Sequence, residues 1–294
     1  MDRSTYLRLL SSFFLKGLRY SIRLQNSKTL SVKESERVSA SVGTFSIVIT
    51  TFQERFDVYA LPLIQSIRRV SSIPITLVIN GNLTSLIEPH KLQSFLEKVS
   101  RHPHVYPVTF QSFQGCAKMW NTGIIHSRGS NVLILNDDIS VLPEHFESDT
   151  NKAISRLSES GVLTLNSSWS HFVINKECIK EIGWFDEHFI GIGNEDGEYA
   201  ERYTSLTGGY IPTLVVHAFA NISDSTRDHK VASTESKYSL FNSVLNQLRH
   251  DNPPLRTSIN PYPMFDWRNR MTEWLSVHDP SAVREAIKQE LEKP

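Results

Sequence analysis

Two groups of acidic residues carry the clearest chemical signal in the sequence. Asn136, Asp137 and Asp138 close a short apolar run, 132–135. Adjacent carboxylates at the end of a buried strand repel one another and lose hydration, which is costly unless a cation or hydrogen-bond donors compensate. A hard divalent ion, Mg2+ or Mn2+, shared with a substrate diphosphate is one compensation. The same acids in a solvated turn, capping a helix that starts near Pro143, would need no ion, and these residues alone leave both readings open. The second group is Gly191-Ile192-Gly193-Asn194-Glu195-Asp196-Gly197-Glu198. Its acids fall in the first turn of a predicted helix, where the dipole favours anions. A carboxylate kept ionised there can accept a proton from an incoming hydroxyl. Glu198 and Arg202 stand four residues apart and read as a structural ion pair. The Gly-x-Gly is not a dinucleotide loop, because no apolar strand directly precedes it and the third glycine is misplaced.

Other chemistries are excluded or weak. The sequence has no Gly-x-x-x-x-Gly-Lys phosphate loop, no Gly-x-Ser-x-Gly elbow and no His-Glu-x-x-His helix. His102 and His104 bracket a proline and read as a turn. His217 follows the apolar run 211–216, so it is expected to end a strand and to reach the same sheet edge as Asp138. A lone strand-end histidine is ordinarily structural; this one gains interest only beside the two acidic groups.

The elements that must position these residues alternate. Strands are expected at 45–50, 75–79, 104–110 and 131–135, and helices at 56–71, 84–99 and 116–127. In the first helix Val58, Leu61, Ile64, Ile67 and Val70 recur at helical spacing. Asn80-Gly81-Asn82 is a turn signal. Such alternation predicts an α/β fold with a mainly parallel sheet covered by helices on both faces. Ligands then bind beyond the carboxyl ends of the strands, which directs attention to the polar residues after the first and fourth strands. From 161 to 217 the pattern is more mixed, with strands at 161–166, 171–174 and 210–216 around helices at 176–182 and 195–206. After about 234 the chain reads as mainly helical.

Composition narrows the class. The 294 residues hold 31 Lys plus Arg against 31 Asp plus Glu, so no global field draws the chain to nucleic acid. Cys116 and Cys178 are the two cysteines, too few for a disulfide framework or a cysteine-rich zinc module and suited to a reducing cytosol. No apolar run approaches the roughly 18 residues of a membrane span. Residues 1–28 carry six basic side chains (Arg3, Arg8, Lys16, Arg19, Arg23, Lys28) against Asp2, with apolar residues at ragged helical spacing. A basic amphipathic helix of this kind can lie on an anionic bilayer, gaining about 1 kcal/mol per Lys or Arg near the surface. It can equally pack on the domain with its basic face solvated. No small-residue cleavage site follows, so a signal peptide is not expected. The expected organisation is a basic segment and linker (1–40), an α/β domain (41–230) and a helical extension (231–294), in a cytoplasmic protein, with peripheral contact at the inner membrane face as one reading of residues 1–28.

Taken in order, four segments resemble the family 2 glycosyltransferases and their GT-A-fold relatives. Ser46-Ile-Val-Ile-Thr-Thr51-Phe52 is similar to the strand that opens the nucleotide pocket. Ala117-Lys118-Met-Trp-Asn121-Thr-Gly123-Ile124 is similar to the A-R-N-x-G-I segment. Val132-Leu-Ile-Leu-Asn-Asp137-Asp138 is similar to the D-x-D strand. Ile182-Gly-Trp-Phe185-Asp186-Glu187-x-Phe189, then Gly193-Asn-Glu195-Asp196 and Arg202, is similar to the G-x-F-D-E-x-F and E-D-x-x-x-x-x-R run. The Gly-x-Gly-Asn-Glu-Asp portion also resembles the G-W-G-x-E-D segment of β-1,4-galactosyltransferases. The match spans residues 44–220.

The resemblance implies a GT-A-type fold and transfer of a sugar from a nucleotide-diphosphate donor to a hydroxyl of a glycan or lipid-linked glycan, with inversion. It implies Asp138, with Asp137, holding Mn2+ or Mg2+, and His217 as a further metal ligand. Asp196 would be the base and Glu195 would orient the acceptor. Thr50, Thr51, Phe52 and Glu54 would line the nucleotide pocket, with Lys118 and Asn121 near the phosphates or donor sugar. Two departures stand out. Asn80 replaces the acid that often ends the second strand, which leaves the nucleotide open, and Asn136 replaces the first acid of D-x-D. The rivals are a sugar nucleotidyltransferase, which would need a glycine-rich loop where Thr51-Phe-Gln-Glu-Arg55 has none, and a degenerate module that binds glycans without transfer.

Overall fold

The computed structural model describes residues 45–81, 86–187, 189, 191–222, 242, 243 and 247. The basic segment 1–40 and almost all of the extension 231–294 lie outside them. The elements run β1 (Phe45–Phe52), α1 (Leu61–Val70), β2 (Ile75–Asn80), α2 (Pro89–Val99), β3 (Val105–Thr109), α3 (Cys116–His126), β4 (Asn131–Asn136), β5 (Ile139–Val141), α4 (Pro143–Ser160), β6 (Val162–Leu165), β7 (Ser168–Asn175), α5 (Lys176–Ile182), α6 (Glu195–Thr207), β8 (Thr213–Leu214) and β9 (Phe219–Asn221).

Seven strands form one sheet in the order β3-β2-β1-β4-β7-β6-β8, and β5 pairs with β9 in a small second sheet. β3, β2, β1 and β4 are parallel, and β7 joins β4 antiparallel. Alternate residues of each strand face opposite sides. Ile47, Ile49, Leu133 and Leu135 therefore meet α1, α2 and α4, through Ile64, Phe95 and Leu157 among others. Val48, Val132, Ile134 and Phe172 meet α3, α5 and α6, through Trp120, Ile179 and Tyr199. All six residues of β2 are buried, as expected of a strand covered on both faces. Gly123 sets the height of α3 above the sheet: a Cβ there would come within 2.2 Å of Val48 Cγ1. The glycine of that motif-like segment thus permits close helix–strand approach.

The alternating α/β expectation holds, and the local differences have physical causes. The first helix begins irregularly, with a 3-10 turn (Gln53–Arg55) and a π turn (Phe56–Ala60) before α1. Pro62 sits in the first turn of α1, where its missing N–H costs nothing. Val58 is exposed rather than part of the apolar stripe. β6 and β7 form a hairpin joined by Asn166 and Ser167 at φ 52° and 57°. Two positive-φ residues match the twist of the flanking strands. The strand expected at 210–216 shrinks to Thr213–Leu214. Beyond it the backbone N–H groups turn to side chains: Val216 to Asn166 Oδ1 (2.9 Å), and His217 and Ala218 to Asp149 Oδ2 (2.7 and 2.9 Å). β5 and β9 had no sequence signal, being short strands stabilised by each other.

Candidate functional site

Parallel sheets bind ligands where strand order reverses. Here that point lies between β1 and β4, whose following connections run to opposite sides, to β2 and towards β7. A cavity of about 310 Å³ opens at their carboxyl ends. Thr50, Thr51 and Phe52 of β1 line one side, with Asn136, Asp137 and Asp138 following β4. The parallel register sets Thr50 beside Asn136, and Thr50 Oγ1 donates to Asn136 Oδ1 (3.2 Å) while Thr51 Oγ1 donates to Asp137 Oδ2 (2.6 Å).

The compensation demanded by the two acids is Arg55, which sequence reasoning missed. Its Nη2 lies 2.8 Å from Asp137 Oδ1 and 3.0 Å from Asp138 Oδ2. Burial pushes the Asp137 carboxyl up to about 6, against the pull of Arg55 and with the push of Asp138. Burial also works against the Arg55 charge, but the two acids outweigh it and hold the guanidinium more firmly protonated than usual. The available signal was an arginine in the polar segment after the first strand, opposite a doubled acid after the strand that pairs with it.

The remaining predicted donor residues divide. Asn80 lines the cavity with Phe113 and Gln114. Its side chain donates to Gln114 O (2.8 Å) and accepts from Gln114 N–H (2.7 Å), fixing the loop that carries both. Glu54 is exposed and lies outside the cavity wall. Lys118 and Asn121 are not brought to the cavity either. Lys118 Nζ lies 3.1 Å from Glu187 Oε2. Asn121 donates to Phe185 O (2.8 Å) and Glu187 Oε1 (3.0 Å) and accepts from Phe185 N–H (3.1 Å). Both are buried and hold the turn after α5. His217 is likewise elsewhere: it sits in the loop between β8 and β9 with its ring 5.4 Å from His145. It does not end a strand, and the wall that contains Asp138 does not include it.

The opposite rim is the loop before α6. Gly191 and Gly193 adopt φ 67° and 122°, values that favour glycine. The loop is tied to α3 by Cys116 N–H to Gly191 O (2.8 Å), and Cys116 and Ile192 line the cavity. Asn242, from the C-terminal part, donates to Gly193 O (2.7 Å), a contact no sequence pattern indicated. Glu195 is buried and accepts from Gly193 N–H (2.6 Å). Asp196 is partly exposed and accepts from Gly197 N–H (2.8 Å). Between the rims, Ser168, Ser170 and Asn221 add hydroxyl and amide groups, with Ser170 Oγ donating to Asn221 Oδ1 (2.7 Å). They too escaped the sequence reading, because the β6–β7 hairpin and β9 place them.

Burial, then the neighbouring Asp196, pushes the Glu195 carboxyl from 4.5 up to about 7. A raised acid favours the protonated form in the fold, so its stability contribution is full below pH 4.5 and is lost as pH rises through about 7. At 1.36 kcal/mol per pKa unit this amounts to about 3 kcal/mol. Glu195→Gln removes the penalty. Its melting temperature relative to the parent is expected to climb between pH 5 and pH 8 by an amount matching about 3 kcal/mol. A pH-independent difference would show that Glu195 does not hold its proton.

No family model matches the sequence, and no curated protein sequence matches it. Solved structures do. The chain is similar to TarS of S. aureus at 15% identity and TM-score 0.50, over 79% of this chain and 43% of that one. It thus spans less than half the length of TarS. It is also similar to the mannosyltransferase PcManGT from Pyrobaculum calidifontis, solved with GDP-Man and Mn2+ (12% identity, 95% and 85% covered, TM-score 0.49). A third is glucosyl-3-phosphoglycerate synthase from Mycobacterium tuberculosis, solved with Mn2+, UDP and glucosyl-3-phosphoglycerate (10%, 73% and 83%, 0.49). The likeness to TarS is one of fold, and the fold is a GT-A-type mixed α/β sheet with helices on both faces. Among the described residues no helix is long and apolar enough to cross a membrane.

Proposed function

We propose that the chain is a glycosyltransferase that moves a sugar from a nucleotide-diphosphate donor to a hydroxyl of a glycan or lipid-linked glycan, with inversion. Bacterial surface polysaccharide synthesis at the inner membrane face is the proposed setting. The observation that carries the reading is the acid pair after β4, set at the β1–β4 switch point in a cavity whose far rim leads into Glu195 and Asp196. The four ordered motifs and the shared fold support it.

A divalent ion, Mn2+ or Mg2+, fits these residues. Asp138 keeps a partly exposed carboxylate (27%) beside the buried Asp137. Among the described residues no group of three His, Cys, Asp or Glu forms a protein cage. Asp137 and Asp138 would instead hold an ion whose remaining positions a diphosphate and water fill. When bound, such an ion neutralises the charge building on the leaving diphosphate.

The chain's own residues supply the rest. Thr51 fixes the Asp137 carboxylate through its hydroxyl, and Phe113 with the Asn80-held loop offers an apolar wall for a nucleobase. Asp196 takes the proton of the acceptor hydroxyl as that oxygen bonds to the anomeric carbon and the carbon–diphosphate bond breaks. Glu195, fixed by Gly193 N–H, orients the acceptor. One observation favours a second reading: Arg55 already engages both acids and so competes with an ion there, which suits a module that binds glycans without transfer.

Thermal shift with UDP, GDP, CMP and dTDP, with and without Mn2+, separates the two. One nucleotide with Mn2+ is expected to add about 2.7 kcal/mol at a hundredfold excess over its Kd. Asp138→Ala is expected to lose that gain. Absence of any shift across the panel would sink the transferase reading and favour the binding module.

A further inference from the structure

Arg55 is the single cation among the described residues that line the cavity. One terminal nitrogen serves both acids, at 2.8 Å and 3.0 Å, while its Nε is buried with no hydrogen-bond partner. The guanidinium lies over Phe52 and Tyr59, 5.4 Å and 4.4 Å from their ring centres. Aromatic faces hold a cation without fixing which way its donors point. The residue also stands where a 3-10 turn meets a π turn, an irregular backbone unlike the strand and helix around it.

These contacts conflict with a metal ion on the same oxygens. A divalent ion held by Asp137 and Asp138 would share those carboxylates with the guanidinium and be repelled by it. An incoming diphosphate resolves the conflict, since a guanidinium fork binds phosphate oxygens in bidentate fashion. Resting on the transferase reading above, we infer that Arg55 is the resident counter-ion of the acid pair and exchanges places with the divalent ion as the donor arrives. The guanidinium would leave the carboxylates for the diphosphate, and Asp137 and Asp138 would then be free to hold the ion. The free protein is therefore a poor metal binder by construction, and ion and donor enter together. Arg55 thus acts on the metal through the acids and on the donor directly, through its diphosphate.

The probes are Mn2+ alone, followed by its electron paramagnetic resonance signal, and inorganic pyrophosphate without metal, followed by calorimetry. Both use the full chain without nucleotide, at about pH 8, above the value of about 6 to which burial pushes Asp137. Arg55→Gln is expected to bind Mn2+ about tenfold or more tightly than the parent, because the competing charge is gone. Adding Asp138→Ala to that variant is expected to abolish the gain. Pyrophosphate binding is expected to weaken about tenfold in Arg55→Gln. Arg55→Lys keeps the charge without the fork; it is expected to remain a weak Mn2+ binder and to lose pyrophosphate affinity, which keeps the test readable if the glutamine variant does not fold. Mn2+ affinity unchanged or reduced in Arg55→Gln, no Mn2+ binding by either protein, or undiminished pyrophosphate binding would each overturn the exchange. Neither probe contains a nucleoside or a sugar, so a negative nucleotide panel leaves this test standing.

Discussion

Arg202→Ala is expected to cost about 3–5 kcal/mol of folding stability, the range for breaking a buried ion pair from one side. Arg202 is 2% exposed and Glu198 is fully buried. The guanidinium meets Glu198 through Nε (2.9 Å) and Nη2 (2.7 Å). It also donates to Ile182 O (2.6 Å) and Trp184 O (2.8 Å), tying α6 to the end of α5 and the turn after it. Truncation leaves a buried carboxylate without its counter-charge, strips donors from two carbonyls and opens a void under Tyr199, whose ring faces the guanidinium at 4.9 Å. Against a typical total of 5–15 kcal/mol this is a large fraction. Urea unfolding should show a lower midpoint with an unchanged slope. The double variant Arg202→Met with Glu198→Leu should recover most of the loss, because removing both charges also removes the desolvation cost. A single-variant cost under about 1 kcal/mol would mean that Glu198 finds water or another donor.

That pair was legible from spacing alone, since four residues on a helix place two side chains together whatever surrounds them. The α/β alternation was legible for a similar reason: buried parallel strands are apolar on both faces, and the runs at β1, β2 and β4 say so. The acids after β4 were legible because charge after such a strand conflicts with burial, and those at 195–198 because glycines lead into an acidic first turn of a helix. Partners were another matter. Lys118 and Asn121 stand in a motif-like segment and read as donor contacts, but α3 turns them towards Phe185 and Glu187. Periodicity shows that a position is buried and not which polar group meets it there. His217 fails for a different reason. Asp149, 68 residues earlier, takes the backbone N–H groups that would have continued a strand. Arg55 was overlooked because its role depends on strand order, which sets β1 beside β4, distant in sequence, as well as beside β2.

Asp196→Asn is expected to lower sugar transfer by about 10²- to 10⁴-fold, the usual scale of general acid–base catalysis, while leaving nucleotide and Mn2+ binding in place. The two adjacent carboxyls at the start of α6 differ in surroundings. Glu195 is buried, and burial pushes its carboxyl up to about 7, so near neutral pH part of it is protonated and can donate a hydrogen bond to the acceptor. Asp196 is partly exposed, takes one N–H from Gly197, and stands in the first turn of the helix, where the dipole favours an anion. Neighbouring carboxyls with different environments can divide the work, the buried one orienting the acceptor and the partly exposed one accepting its proton. Asparagine keeps the shape and the hydrogen bond from Gly197 but cannot accept the hydroxyl proton, so the loss should appear in kcat with little change in donor KM. Asp138→Ala should instead lose donor binding and transfer together. If Asp196→Asn transferred normally and Glu195→Gln were inactive, the roles would be reversed and the proton would go to Glu195.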